Sequence, residues 1–280
     1  MTAPAGAATA GQAVVGVVSA LRRYPIKSML GEALTEAVLV TGGVEGDRVL
    51  ALLDASTGRV ATAKQPRLWR ALLRFTAAHE GAAVRITLPD GRSVGADDEG
   101  LDELLSEVLG RAVVLSDTRP VDATVERPAP EDVLAHGVEA EVPYETLEIA
   151  QGTTGATFVD YAPVHLITTA TLDRIGAEAV RYRPNVVVAT PQGVPFAENG
   201  WVGREITIGG VRLRGTLPTP RCSVPTLEHG DLPRAAHAVR DLLADNRVDV
   251  PGFGVLPCAG VYAEVLDGGV VREGDPVVLN

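Results

Sequence analysis

Cys222 stands in the stretch "PTPRCSVPTLEHG" (residues 218–230), directly after Arg221 and among Pro218, Pro220 and Pro225. A free cysteine is ordinarily a small apolar core residue, and only reactivity or metal binding gives it a chemical role. Here Arg221 adds a fixed positive charge beside the sulfur. The three prolines each fix φ and remove a backbone donor, so the stretch reads as a rigid loop rather than helix interior or central strand. Three further polar groups stand in turn-forming sequence: "YPIKS" puts Lys27 and Ser28 after Pro25, "GDR" puts Arg48 after a glycine-rich turn, and "RYRPN" puts Arg183 and Asn185 around Pro184. Convergence of fixed cations and hydroxyls with one soft sulfur is what a large anionic cofactor carrying a metal requires.

The elements that must hold these residues are mostly strands. From Ala13 to about Ile86, short β-branched runs ("VVGVVSAL", "LTEAVLV", "DRVLALLD", "AAVRITL") alternate with turn signals, and Asp90-Gly91 marks a hairpin. Residues 97–109 carry Leu101, Leu104, Leu105, Val108 and Leu109 at helical spacing behind an acidic first turn, with Gly110 as the stop. Residues 119–152, rich in Pro and Glu, read as a connecting segment. Beyond it "HLITTATLDRIGAEA" runs from strand into helix, and "LPRAAHAVRDLLADNR" is a late helix led in by Asp231, read as its cap, and Pro233. Many short, glycine-punctuated strands favour a small closed barrel.

Composition narrows the functional classes. A net charge of -11 argues against non-specific binding to nucleic acid or an anionic membrane, so an anion site must be a local basic pocket. No apolar run spans a bilayer, and the N-terminal stretch, residues 1–12, has no Lys or Arg for a signal peptide and reads as a disordered tail. Cys222 and Cys258 have neither CxxC spacing nor a disulfide-framework pattern, which points to a reducing cytoplasm. Cys258 in "GVLPCAGVYA" reads as structural, as do Trp69 and Trp201. His165, between Val164 and Leu166, reads as a core histidine, and His229 as a loop residue able to approach a substrate.

In order along the chain, "YPIKS", "GVEGDR", "APVHLITTATL", "RYRPNVVV", "ENGWVG", "TPRC" and "VREGDPVVL" resemble the MOSC-domain family (molybdenum cofactor sulfurase C-terminal domain) with its N-terminal β-barrel partner. The resemblance implies a mainly β fold with some α (α+β): a barrel-like sheet domain over residues 13–118 and a MOSC β-barrel core over residues 119–280. It implies molybdenum cofactor (Mo-molybdopterin), with Cys222 as the protein ligand to molybdenum and as the catalytic residue. Lys27, Ser28 and Arg48 would hold pterin and phosphate, Arg183, Asn185 and Arg221 would line the cofactor, and Thr168 and Thr169 would supply hydroxyls near the phosphate. The activity implied is reduction of a small N-hydroxylated substrate. Two cysteines cannot supply the four thiolates of an iron-sulfur cluster, so the electrons would come from a separate donor protein. The alternative from the same family is a carrier of molybdenum cofactor, or of a persulfide on Cys222, without turnover.

Overall fold

The computed structural model describes residues 13–190 and 193–280; the N-terminal stretch read as a tail lies outside them. Seven strands close into a barrel: β1 (Ala13–Arg23), β2 (Val164–Thr168), β3 (Val186–Ala189), β4 (Glu205–Ile208), β5 (Val211–Pro220), β6 (Gly254–Asp267) and β7 (Pro276–Leu279). Their order around it is β2-β3-β1-β7-β4-β5-β6, and β6 pairs back onto β2. All these pairings are antiparallel except β2 with β3.

Alternation sorts the side chains of each strand. On β2, Val164 and Leu166 enter the barrel interior with Val186, Val188, Ile206, Ile208 and Val261, while Ile167 packs outward against helix residues Ile175, Ala238 and Leu242. His165 also leaves the interior. On β1, a register shift between Val18 and Ala20 lets Val18 and Leu21, three residues apart, both face inward. The parallel step from β2 to β3 needs a crossover, supplied by helix Thr169–Ile175 and the helical turn Ala179–Tyr182.

Between β1 and β2 the chain builds a second unit. Strands Thr76–Glu80, Ala83–Thr87 and Ser93–Gly95 form one meander, and Ala51–Asp54 pairs with Val113–Ser116. Helix Leu101–Leu109 stops at Gly110, which takes φ 65° as the sequence anticipates. These elements enclose Ile26, Met29, Leu52, Trp69, Phe75 and Ile86. The expected hairpin forms at Asp90-Gly91, with Gly91 at φ 87°. Trp69 and Trp201 are both buried.

The connecting segment, residues 119–152, carries elements of its own: a ribbon of Thr124–Pro128 against Tyr144–Glu148 encloses helix Pro130–His136. Two readings are corrected. Pro218 and Pro220 lie at the end of strand β5, tolerated because the β5–β6 register breaks between Gly215 and Leu217 and again between Pro218 and Pro220. The late helix runs only from His237 to Asp245, with Ala236 at its N-cap, so Asp231 caps nothing there. Among the described residues no helix is long and apolar enough to cross a membrane.

Candidate functional site

Where the barrel meets the N-terminal unit, a cleft holds about 1250 Å³ of atom-free space, mouth included. Cys222 is on its wall, half-buried and free. Lys27, Ser28, Arg48, Arg183, Asn185 and Arg221 also border it, so all seven residues proposed from sequence apart from the threonine pair, Cys222 included, converge on one cavity. Lys64, Arg127 and Arg181 join them, against Glu148 and Asp160 as the acidic lining. An acidic protein thus carries a private basic pocket.

Backbone strain marks the same residues. Ser28, Arg48 and Arg183 adopt φ of 67°, 50° and 55°, half of the six left-handed non-glycine residues among those described. Each such conformation costs roughly 1–2 kcal/mol, and strain of this kind clusters at functional sites. The cost is offset locally by Tyr24, fully buried. Its ring lies 4.3 Å from the Arg183 guanidinium carbon and 5.0 Å from that of Arg48. Its hydroxyl donates to the Pro184 carbonyl at 3.2 Å, and its N–H donates to Asp47 at 2.7 Å. Asp47 also pairs with Arg48, and Arg48 Nη2 donates to the Arg183 carbonyl at 3.2 Å. Sequence reading passed over Tyr24; the tyrosine opening "YPIKS" between two arginine-bearing turns was the available signal.

The cations differ in how fully they are occupied. Lys27 Nζ contacts Asp160 at 2.5 Å and the Phe158 carbonyl at 2.8 Å, and Lys64 reaches the same carboxylate at 3.0 Å. Burial pulls Lys27 down to about 8 although Asp160 opposes it. For Asp160 burial pushes upward, yet the two lysines hold it well below the usual carboxylate range. Arg183 Nη1 donates to the Met29 carbonyl at 2.6 Å, while its Nη2 is shut from solvent with no acceptor. Burial, then the neighbouring Arg48 charge, bring Arg183 down to about 10. A buried N–H left without a partner is costly, and the residue that carries it lines the cleft.

Beneath Cys222, Arg221 is fully committed. Its Nε donates to the Ala259 carbonyl at 2.9 Å, Nη1 to the Tyr182 carbonyl at 3.0 Å, and Nη2 lies 2.5 Å from His165 Nε2. Burial and the Arg221 charge push His165 well below its ordinary range, so the imidazole is neutral and Nε2 accepts. His165 is therefore a satisfied buried histidine that also lines the cleft. Asn185 likewise spends its amide on the scaffold: Oδ1 accepts from the His165 N–H at 3.1 Å and Nδ2 donates to the Arg22 carbonyl at 3.4 Å. These two residues shape the wall rather than offer free donors. Ser28 Oγ accepts from the Ala63 N–H at 3.2 Å and lies 3.3 Å from Thr62 Oγ1.

Thr168 and Thr169 do not line the cleft. Thr168 Oγ1 caps the helix Thr169–Ile175 by accepting from the Thr171 N–H at 3.2 Å, and it donates to the buried Glu198 carboxylate at 3.0 Å. Thr169 Oγ1 accepts from the Thr190 N–H at 3.4 Å. Strand β2 ends by turning into a helix, and these hydroxyls are used by that turn. His229 is also outside the cleft lining; it is buried, with Nδ1 against the Leu227 carbonyl, and burial lowers it to about 4. Cys258 is buried and its thiol is pushed up to about 11 by that burial, in keeping with a structural role.

Among the described residues no cluster of three or more His, Cys, Asp or Glu could hold a metal ion. A metal in the cleft would take Cys222 as a single protein ligand and must bring its other ligands with it. One sulfur, an unpartnered buried guanidinium N–H and a ring of cations fit a large anionic cofactor with its own metal ligands.

A seven-stranded barrel flanked by a second β unit, with a basic cleft at their junction, defines the class. Residues 153–278 match the MOSC domain and residues 15–110 match the MOSC N-terminal beta barrel domain. The chain belongs to the MOSC-domain family. It is 27% identical to mitochondrial amidoxime reducing component 2 of Rattus norvegicus over 94% of this chain and 83% of the relative. It is 23% identical to mitochondrial amidoxime-reducing component 1 of Homo sapiens over 95% and 83%. Among solved structures, the YuaD protein from Bacillus subtilis aligns over 96% of this chain and 97% of its own, with a TM-score of 0.45 and 12% identity.

Proposed function

We propose that the protein is a molybdenum-cofactor-binding oxidoreductase that reduces N-hydroxylated compounds with electrons from a separate donor protein. The observation that carries this reading is the basic cleft with Cys222 on its wall and Arg183 Nη2 lacking an acceptor. The names of the relatives support the substrate class. In this reading residues 13–118 form one domain, bringing Lys27, Ser28 and Arg48, and residues 119–280 form the other, bringing Arg183, Asn185, Arg221 and Cys222.

Bound in the cleft, molybdenum cofactor would supply the two-electron couple; Cys222 would be its one protein ligand to the metal. Lys27, Ser28 and Arg48 would hold the pterin and its phosphate and Arg183 would line the cofactor, with Arg48 and Arg183 stiffened by Tyr24. Arg221 and Asn185 keep the Cys222 turn and β2 in place through the carbonyls and the histidine they engage. The reaction consumes two electrons and two protons: the N–O bond breaks, the nitrogen gains a hydrogen, and the oxygen leaves as water. Protein isolated from a host that makes the cofactor is expected to hold about one molybdenum and one pterin per chain and to reduce an amidoxime with a chemical reductant. A protein that holds pterin yet never turns over, and releases a cyanide-labile sulfur from Cys222, is the carrier instead.

A further inference from the structure

One stretch of the cleft wall is not used by the cofactor reading. The inner face of the ribbon Thr124–Pro128/Tyr144–Glu148 contributes Val125, Arg127 and Leu147 to the cleft. Val125 and Arg127 are two apart and share a face, and Leu147 is the cross-strand partner of Val125. The opposite face is spent on the scaffold, where Glu126 pairs with Arg59 at 2.6 Å. The same cleft has an aromatic wall. Tyr161 and Phe253 meet edge to face with centroids 5.7 Å apart, and Tyr161 lies 6.0 Å from Tyr262 at a 32° tilt. All three rings line the cleft.

Arg127 stands out among the cleft cations. Lys27 and Lys64 share Asp160, Arg48 has Asp47, Arg181 has Glu178, Arg221 is held by carbonyls, and Arg183 reaches the Met29 carbonyl. Among the described residues Arg127 makes no ion pair and no side-chain hydrogen bond. Glu145, its cross-strand partner, forms no ion pair with it, and Glu148 is at the exposed rim. A half-buried guanidinium with its fork free, facing a cleft with an aromatic wall, is built to take a flat anion: the fork binds a carboxylate or phosphate in two-point fashion and the rings bind the apolar body.

We propose that Arg127 and the Tyr161–Phe253 wall form a substrate subsite selecting planar aromatic N-hydroxy compounds that bear an anionic group. This rests on the reductase reading for its substrate chemistry, but binding tests it without turnover. The probes are benzamidoxime and 4-carboxybenzamidoxime, which differ by the carboxylate, each titrated calorimetrically into cofactor-loaded protein with no reductant present. The carboxylated probe is expected to bind about tenfold tighter than the neutral one. Arg127→Gln should remove that preference while leaving the neutral probe's affinity within about twofold; Arg127→Lys should keep part of it; Phe253→Ala should weaken both probes together. A 4-phosphonate analogue compares the two anion types, and tighter binding of either over the neutral probe supports the subsite. Equal affinities for charged and neutral probes, or an Arg127→Gln loss that falls equally on both, overturns it. Absence of turnover when reductant is added, with the carboxylate preference intact, counts against the reductase and leaves the subsite standing.

Discussion

Replacing Arg183 separates what the cleft needs from what the fold needs. In the cofactor-free protein its guanidinium makes one charged hydrogen bond, to Met29, and lies on Tyr24 at 4.3 Å. Those contacts are worth roughly 1.5–3 and 0.5–2 kcal/mol. Against them stand a buried Nη2 with no acceptor and the repulsion of Arg48, for which the penalty of one unmade bond is about 1–3 kcal/mol. The two sides nearly cancel. The left-handed φ of 55° adds a difference between variants: Arg183→Ala, which keeps the strain the arginine already bears, should be close to wild type in stability without cofactor, and Arg183→Gly, which relieves it, about 1 kcal/mol higher. With cofactor the result inverts, because loss of a buried partner to a phosphate costs about 2–5 kcal/mol. Affinity should fall by about 30-fold to several thousandfold in both variants. Molybdenum by mass spectrometry and pterin by fluorescence after oxidation, on protein from a cofactor-competent host, give the loading; urea melts of cofactor-free protein give the stability. Full loading of both variants would refute the assignment of Arg183 to the anion, and a large, equal stability loss in both would show a purely structural role.

Cys222→Ser should abolish amidoxime reduction while much of the pterin stays bound, and Cys258→Ser should leave activity intact; steady-state assays with a chemical reductant check both. At pH 8, iodoacetamide should label the half-buried Cys222 and spare Cys258, whose thiol is buried and pushed up to about 11, as peptide mapping would show. Thr168→Ala removes a helix cap and a donor to buried Glu198, so urea melts should show a loss of about 1–2 kcal/mol with molybdenum content unchanged; a fall in molybdenum would return Thr168 to the cofactor. Lys27 is lowered to about 8 in the fold, so between about pH 8 and the ordinary lysine value near 10.4 the unfolded chain binds the extra proton. Stability relative to Lys27→Met should therefore rise with pH across that window, and urea melts at pH 7.5 and 10 that show a fall would contradict the burial argument.

The convergence of Lys27, Arg48, Arg183 and Cys222 was legible in the sequence because each side chain is adjacent to a proline or glycine turn, and such turns fix direction locally. Barrel strands were legible for the same reason that β2 sorts its residues: alternation survives in the letters. Thr168 and Thr169 misled because a hydroxyl pair at a strand end serves a helix cap as readily as a phosphate, and the partner that decides, Glu198, is thirty residues on. Pro218 and Pro220 misled because a bulge in the neighbouring register, invisible in one strand's sequence, makes room for them. Tyr24 gave only a faint local signal, its place at the head of "YPIKS", and Arg127 gave none. Their importance comes from what faces them across the cleft, and pairing between distant segments is not written at either position.

Strand β1 belongs to a barrel whose remaining strands begin only at Val164, with Ala13 opposite Leu279 in the β1–β7 register. On a ribosome adding roughly 5–20 residues per second, β1 must wait roughly 10–50 s for β7 to emerge. Until then the edge of β1 that β7 will cover, from Ala13 to Val17, stays unpaired, although β3 can cover its other edge earlier, while residues 24–118 can already collapse around their own core. The ring can close only once β7 is made, which makes closure a late, non-local event that slows folding. It also means that residues 153–278 alone would leave the flanks of β3 and β7 bare, two sticky edges where the intact chain has none.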